Sequence, residues 1–99
     1  MAAGGARGPG GFRDQTLPAG STYTITGQTA TLGAGVRRAT GRVALSGRWD
    51  GGRWQMIVRT TTTADGRYRL TIHLRRRGTL ELRLATPDHR TARVVLTVV

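Results

Sequence analysis

The sequence predicts an all-β chain, an antiparallel β-sandwich of about seven short strands. Three observations carry that expectation. From Tyr23 onward apolar residues recur every second position rather than with the helical period of about 3.6. Thr and Val are frequent there, and Gly-containing breaks interrupt the pattern at spacings of about 8–12 residues. Three separate turns, each counted on its own, place the same apolar residues on one face.

The first twenty residues contain Gly-Gly and Gly-Pro-Gly-Gly and almost no large apolar side chain. Residues 1–20 therefore read as a disordered Gly-rich tail or linker, and residues 21–99 as the sandwich domain. A domain of roughly 80 residues buries about 60–65% of its unfolded surface, enough for one small core. The opening "MAAGGARGPGGFRD" has an arginine but no apolar stretch behind it, so it does not read as a signal peptide. No segment is apolar over the length needed to span a bilayer as a helix.

The elements follow in order. "YTITGQTATL" (23–32) is a first strand whose apolar parity shifts between Ile25 and Ala30, which predicts a bulge near Gly27. "GAGVRRATG" (33–41) reads as a loop. "RVALSGRW" (42–49) turns Val43, Leu45 and Trp49 inward. The next strand, "RWQMIVRTTT" (53–62), puts Trp54, Met56 and Val58 on its inner face. "RYRLTIHL" (67–74) sends Tyr68, Leu70, Ile72 and Leu74 inward and Arg67, Arg69, Thr71 and His73 outward. "TLELRLA" (79–85) turns Leu80, Leu82 and Leu84 inward, "TPDHRT" (86–91) is a loop, and "ARVVLTVV" (92–99) closes the domain. That valine-rich end is the segment best suited to strand addition at a sheet edge.

The turns are set by Asp50, Gly51, Asp65, Gly66 and Gly78. A loop Ala64-Asp65-Gly66 with Gly66 left-handed pairs Thr63 with Arg67 and, in a hairpin, Thr60 with Leu70 and Val58 with Ile72. Arg76-Arg77-Gly78 likewise aligns Leu74 with Leu80. A loop over 50–53 sets Trp49 against Trp54 and Leu45 against Val58. In a Greek-key order the partners change and the inward set stays the same.

The run from 41 to 99 resembles bacterial immunoglobulin-like sandwich modules of actinobacterial secreted and surface proteins. The matching residues are Val43, Leu45, Asp50, Gly51, Trp54, Thr63, Asp65, Gly66, Tyr68, Gly78, Arg83, Val94 and Val98, and "YTITGQT" (23–29) is similar to the first strand of such a module. Asp-Gly-x-Tyr hairpins of the same kind occur in transthyretin-like domains. The resemblance implies an immunoglobulin-like topology, an extracellular or cell-surface location, and a structural or accessory role without catalysis.

The chain has no cysteine, two histidines and five acids. No nucleophile, base and carboxylate fall into a catalytic pattern. Asp88 beside His89 is too small a donor set for zinc. Both histidines read as solvated, "GARGPGG" and "LGAG" lack phosphate-loop spacing, and no cofactor is expected.

All 16 basic residues are arginine, against five acids, for a formal charge of +11. Absence of lysine reads as the composition of a GC-rich genome. The scarcity of acids still favours polyanions. "RWDGGRW" interleaves Arg48, Trp49, Arg53 and Trp54 around a turn, and "LRRRG" sets Arg75, Arg76 and Arg77 at a tip. These seven residues are the candidates for polyanion or glycan contact, with both tryptophans also suited to closing one end of the core. Outward Arg59, Arg67, Arg69, Arg75, Arg83 and Arg93 would make one sheet face positive and its contacts salt-sensitive. The expected function is a non-catalytic accessory or binding module of a secreted or surface-exposed bacterial protein, with a protein or glycan partner. The alternatives are a polyanion-binding module for nucleic acid, wall polymer or anionic lipid, and a virion or filament surface protein.

Overall fold

The structure, a computed structural model, describes residues 7–10, 12–31, 37–89 and 91–99. The Gly-rich loop at 32–35 and residues 5, 6 and 11 of "GARGPGG" therefore lie outside the described residues, while residues 7–10 of that motif form a strand. Eight strands form in the order β1 (Arg7–Gly10), β2 (Gln15–Leu17), β3 (Thr22–Gln28), β4 (Arg42–Trp49), β5 (Gln55–Thr61), β6 (Arg67–His73), β7 (Gly78–Ala85) and β8 (Thr91–Val98). They make two sheets, β1-β3-β6 and β2-β8-β7-β4-β5. Among the described residues there is no helix. The all-β sandwich read from the sequence is the fold observed.

The core lies between the sheets and is filled by the residues that period-two patterning sets inward. Tyr23, Ile25, Tyr68, Leu70 and Ile72 of the smaller sheet meet Val43, Leu45, Leu80, Leu82, Leu84, Val94, Leu96 and Val98 of the larger one, all of them buried. Each outward neighbour along β6 is exposed, the mark of a strand with one wet face.

The strand partners differ from the hairpin register, although the turns themselves form. At 63–67 the Thr63 N–H donates to the Arg67 carbonyl (2.8 Å), the Gly66 N–H to the Thr63 carbonyl (2.9 Å), and Gly66 is left-handed. Beyond this closure β5 and β6 separate into different sheets. β6 pairs with β3, joining Tyr23 to Ile72 and Ile25 to Leu70. The 74–77 segment likewise crosses between sheets, because β7 pairs with β4 and β8. A local turn closure is the same whether its strands stay together or part, so the pairing was decided by which arrangement covers both faces.

The expected bulge at Gly27 is absent from the β3–β6 ladder, which runs without a shift from Thr22 to Gln28. Gly27 faces Tyr68 there, and parity continues to buried Thr29. The apparent shift at Ala30 arises because the inward position is the polar Thr29, whose hydroxyl donates to the Ala39 carbonyl.

Structure begins before residue 21. β2 lies parallel to β8, pairing Gln15 with Leu96 and Leu17 with Val98, so the sandwich is not wholly antiparallel. The Asp14 carboxylate accepts the Val95 N–H (2.8 Å), and Phe12, Leu17 and Ala19 pack against the core. Flanking backbone bonds join Val99 to Leu17 and to Ala19. The valine-rich end is therefore a covered strand, not a free edge. Few but well-spaced apolar residues suffice for a segment that gains its hydrogen bonds from an existing sheet.

Candidate functional site

The site is built at the tip of the β4–β5 arm. The Gly52 N–H donates to the Trp49 carbonyl (2.8 Å), and Asp50 and Gly51 both have positive φ, 50° and 74°. These are the features of a two-residue type I′ hairpin turn, tighter than the four-residue loop expected. The residues released by the tighter turn are absorbed along β5. Gln55 pairs with Gly47 and Met56 with Ser46, then the register shifts and Val58 pairs with Leu45, leaving Ile57 as the extra residue of a bulge. Gly47 makes room for it: a Cβ on Gly47 would stand 2.4 Å from the Ile57 Cδ1.

This bulge corrects the reading of Trp54 and Met56 as inward residues. Met56 is 56% exposed, opposite Ser46 on the outer face. Trp54 lies with the outward arginines, its ring centroid 4.4 Å from the Arg83 guanidinium carbon, 4.9 Å from that of Arg48 and 5.6 Å from that of Arg93. Trp49 stays on the core side and packs against the cluster, as expected.

Glu81 sits within the same group, pairing with Arg48 (3.0 Å) and Arg93 (3.7 Å). Sequence reading singled out neither Glu81 nor its role as counter-ion. Its outward parity on β7 follows from the inward Leu80 and Leu82, whereas its place beside Arg48 on β4 follows only once those strands are adjacent. The positive sheet face is corrected in the same way. Arg67 and Arg69 belong to the smaller sheet and Arg59, Arg83 and Arg93 to the larger, so the charge is divided between strands of separate sheets.

Asp50 joins the arm to the 74–77 segment. Its carboxylate accepts the Thr79 N–H (2.9 Å) and a bond from Arg76 (3.3 Å), while its own N–H donates to the Thr79 carbonyl (2.8 Å). Arg76 in turn lies 5.2 Å from the Trp49 ring centroid. Between arm and segment opens a cleft of about 320 Å³ lined by Gly47, Arg48, Trp49, Arg53, Ile57 and Arg76, with Gly52 and Gln55. Of the seven candidates, Arg48, Trp49, Arg53 and Arg76 are thus brought together, whereas Trp54, Arg75 and Arg77 do not line the cleft.

The electrostatics are uneven. Asp50 is engaged by Arg76 and Glu81 by Arg48 and Arg93. Arg53 is exposed and, among the described residues, has no acidic partner. The Arg48 Nε is buried without a hydrogen-bond partner, although the side chain as a whole is partly open.

The histidines stand apart from this. His73 Nδ1 is 3.3 Å from the Thr22 hydroxyl on the outer face of β6, and His89 is an exposed turn residue with φ 62°. Asp88 is a loop anchor, its carboxylate accepting from the Ala30 N–H (2.9 Å) and the Thr86 hydroxyl. Among the described residues no group of three His, Cys, Asp or Glu side chains is placed to hold a metal ion.

No protein-family model and no curated protein matches the sequence. Solved structures do match. Two structures of superoxide reductase (neelaredoxin) from Ignicoccus hospitalis superpose with TM-scores of 0.60 at 16% identity. They cover 96% and 95% of this chain and 82% of their own. A chain from a structure on T cell specificity and activation by the bacterial superantigen toxic shock syndrome toxin-1 matches at TM-score 0.50 and 7% identity, covering 86% of this chain and 92% of its own.

At such identities the likeness is one of fold. It nevertheless corrects the functional expectation. Nearly the whole chain shares its architecture with superoxide reductases, so the sandwich is no mark of a non-catalytic accessory module of a secreted or surface protein, nor of the polyanion-sheet or virion alternatives. Function has to be argued from the site.

Proposed function

We propose that this chain binds a small anion of the carboxylate or phosphate class, with a planar or apolar body, in the cleft between the Asp50–Gly51 turn and Arg76. The observation that carries the reading is the convergence of Arg48, Arg53 and Arg76 with Trp49 around about 320 Å³, a volume at the lower end of small-molecule sites. Arginine supplies a fixed fork of donors for carboxylate or phosphate oxygens, and an indole face takes the planar body. Arg53 has no acid to displace, and the buried Arg48 Nε lacks an acceptor. The cleft selects single anionic groups, in contrast to a polymer tracked along a sheet face.

Superoxide reduction is not part of this proposal. The likeness to superoxide reductases at 16% identity is one of fold and carries no activity over to this chain.

The test is titration with benzoate and phenyl phosphate, followed by tryptophan fluorescence and by the arginine side-chain resonances in NMR. Expected are saturable changes at Trp49 and Arg53, weakened about tenfold by Arg53→Ala, in line with loss of one charge-assisted hydrogen bond. Binding indifferent to Arg53→Ala and Trp49→Phe would overturn the reading.

A further inference from the structure

A second feature, the open side of β5, shares Arg53 and Ile57 with the cleft lining and otherwise lies further along the strand. The larger sheet ends on one side at β2, which the chain itself lays along β8, and on the other at β5, which hydrogen-bonds to no strand beyond β4 among the described residues, β6 leaving its side after the closure at Thr63 and Arg67. The Thr62 N–H donates to the Gly41 carbonyl (2.9 Å), which fixes the hydrogen-bonding parity of the β4–β5 ladder. Alternation along that ladder then turns the Val58 and Thr60 amides toward β4 and the Arg59 and Thr61 amides outward. Beside these outward donors stand two large exposed apolar side chains, Met56 at 56% and Ile57 at 39%. β6, the corresponding edge of the smaller sheet, exposes only Arg, Thr and His between buried residues.

The charge around this edge has one sign. Between Gly51 and Ala64 there is no acidic residue, and β4 carries none either. Arg42 pairs with Thr61 on the neighbouring strand, Arg59 lies within β5 and Arg53 precedes it. The nearest acids along the chain are occupied, Asp50 by Arg76 and Asp65 by Arg67 (3.2 Å). A second copy of the chain would bring Arg59 toward Arg59 across a two-fold axis, between molecules of formal charge +11.

We propose that β5 is a docking edge for an extended acidic segment of another protein, added antiparallel as a further strand alongside Val58–Thr61. Main-chain bonds to Arg59 and Thr61 supply the register. Apolar side chains on one face of the partner meet Ile57 and Val58, and carboxylates on the other meet Arg59 and Arg42. The Ile57 bulge twists the strand before this stretch, which limits pairing to short segments and opposes open-ended growth.

The test uses the full chain and an acetylated, amidated peptide of alternating glutamate and valine matching the seven residues of β5. Two controls accompany it, one with lysine for glutamate and one with proline for the central valine. Amide hydrogen exchange by NMR reads the edge directly. With the acidic peptide, Arg59 and Thr61 amides are expected to slow at least about tenfold, while β6 amides are unchanged. The lysine and proline peptides are expected to give no protection. Arg59→Glu is expected to weaken association with the acidic peptide at least about tenfold, and its thermal melt checks that it folds. Association without protection of Arg59 and Thr61, protection at β6 instead, or equal effect of either control peptide would overturn the proposal. The wild-type exchange experiment decides the matter even if the variant does not fold.

Discussion

The hydroxyl end of the Tyr68 ring on β6 lies against Gly27 on β3, so near that a Cβ at position 27 would stand 2.3 Å from its hydroxyl oxygen and 2.5 Å from the ring carbon bearing it. The two residues are cross-strand partners in the smaller sheet. The missing side chain of Gly27 is thus filled by its neighbour's ring, which covers otherwise bare backbone. Tyr68 is only 7% exposed and has little free space into which to swing.

Gly27→Ala is therefore expected to destabilise the fold by about 1–3 kcal/mol through overpacking, on top of any backbone effect. Urea denaturation followed by tryptophan fluorescence measures it. Pairing the change with Tyr68→Leu, which removes the obstructing ring, should make the combined cost smaller than the sum of the two singles. Additive costs would show that the ring does not oppose the added carbon.

Asp50 supports a second close contact, because it fastens the β4–β5 turn to Gly78 and Thr79. A Cβ on Gly78 would stand 2.8 Å from the Asp50 Oδ1, and Gly78 itself has φ 136°. Asp50→Asn keeps an acceptor for the Thr79 N–H and tolerates positive φ, losing only the exposed pair with Arg76. That pair is worth about 0–1 kcal/mol. Asp50→Ala loses the acceptor and places a strained residue at φ 50°, for about 2–3 kcal/mol in all. Thermal melts should rank wild type and Asn close together, with Ala well below. An Ala variant as stable as Asn would refute the bridging role.

How much of this was legible in the sequence depends on the physical range of each interaction. Leu70, Ile72, Leu80, Leu82 and Leu84 could be placed inward because burial alternates within the strand itself. The turn at Asp65-Gly66 was legible because its hydrogen bonds span a few residues. The partner of β6 was not, since Thr63 and Arg67 close the same turn whether or not β5 follows alongside. Trp54 went to the wrong face because one residue at Ile57 shifts parity. The available signal was Gly47, a glycine in mid-strand, which marks a bulge or a close approach. The cleft was half legible. Arg48, Trp49 and Arg53 are neighbours in sequence, whereas Arg76 joins them across the fold, through the Asp50 carboxylate and the Trp49 ring.

Acid should act on the 63–67 turn. The Thr63 hydroxyl donates to the Asp65 carboxylate, and this bond, ahead of the nearby Arg67 and Arg38 charges, holds the carboxyl below its ordinary range. Because the folded value is depressed, the turn's stabilisation is present above the unfolded carboxylate value of about 3.9 and is lost as pH falls through the folded one. NMR titration of the Asp65 carboxyl carbon should give a midpoint below that value, and Thr63→Ala should raise it. A midpoint unmoved by Thr63→Ala would assign the shift elsewhere.

Alkali should act on the core. Burial raises both Tyr23 and Tyr68 above the usual phenol value, with the Asp88 charge adding to the effect at Tyr68. A raised folded value means that stability is full below the unfolded value of about 10 and falls as pH rises toward the folded ones. These are the only two tyrosines in the chain, so phenolate absorbance near 295 nm (about the usual band) reports them without overlap from other phenols. Both midpoints should lie above about 10, and the urea midpoint should drop over the same range. Titration of either ring at the ordinary phenol value of about 10 with the fold intact would contradict its burial.

Glu81 offers the sharpest test of the outer face. It is the counter-ion for Arg48 and Arg93, in a cluster that also holds Arg83 against the Trp54 ring. With Glu81 the group carries three positive charges and one negative. Glu81→Gln keeps the shape and removes the negative charge, leaving three arginines around one indole. The expected loss is about 1–2 kcal/mol at low ionic strength, the range for a charged hydrogen bond that is partly solvent-screened. The same substitution should cost less in about 1 M salt, where the Debye length shrinks to about 3 Å and the arginines no longer repel strongly. Trp54 emission should shift as its cationic neighbours rearrange, while Trp49, packed on the opposite side against the core, should report no change. A penalty independent of salt would mean that Glu81 acts through packing, and that the arginines around Trp54 are held by the ring alone.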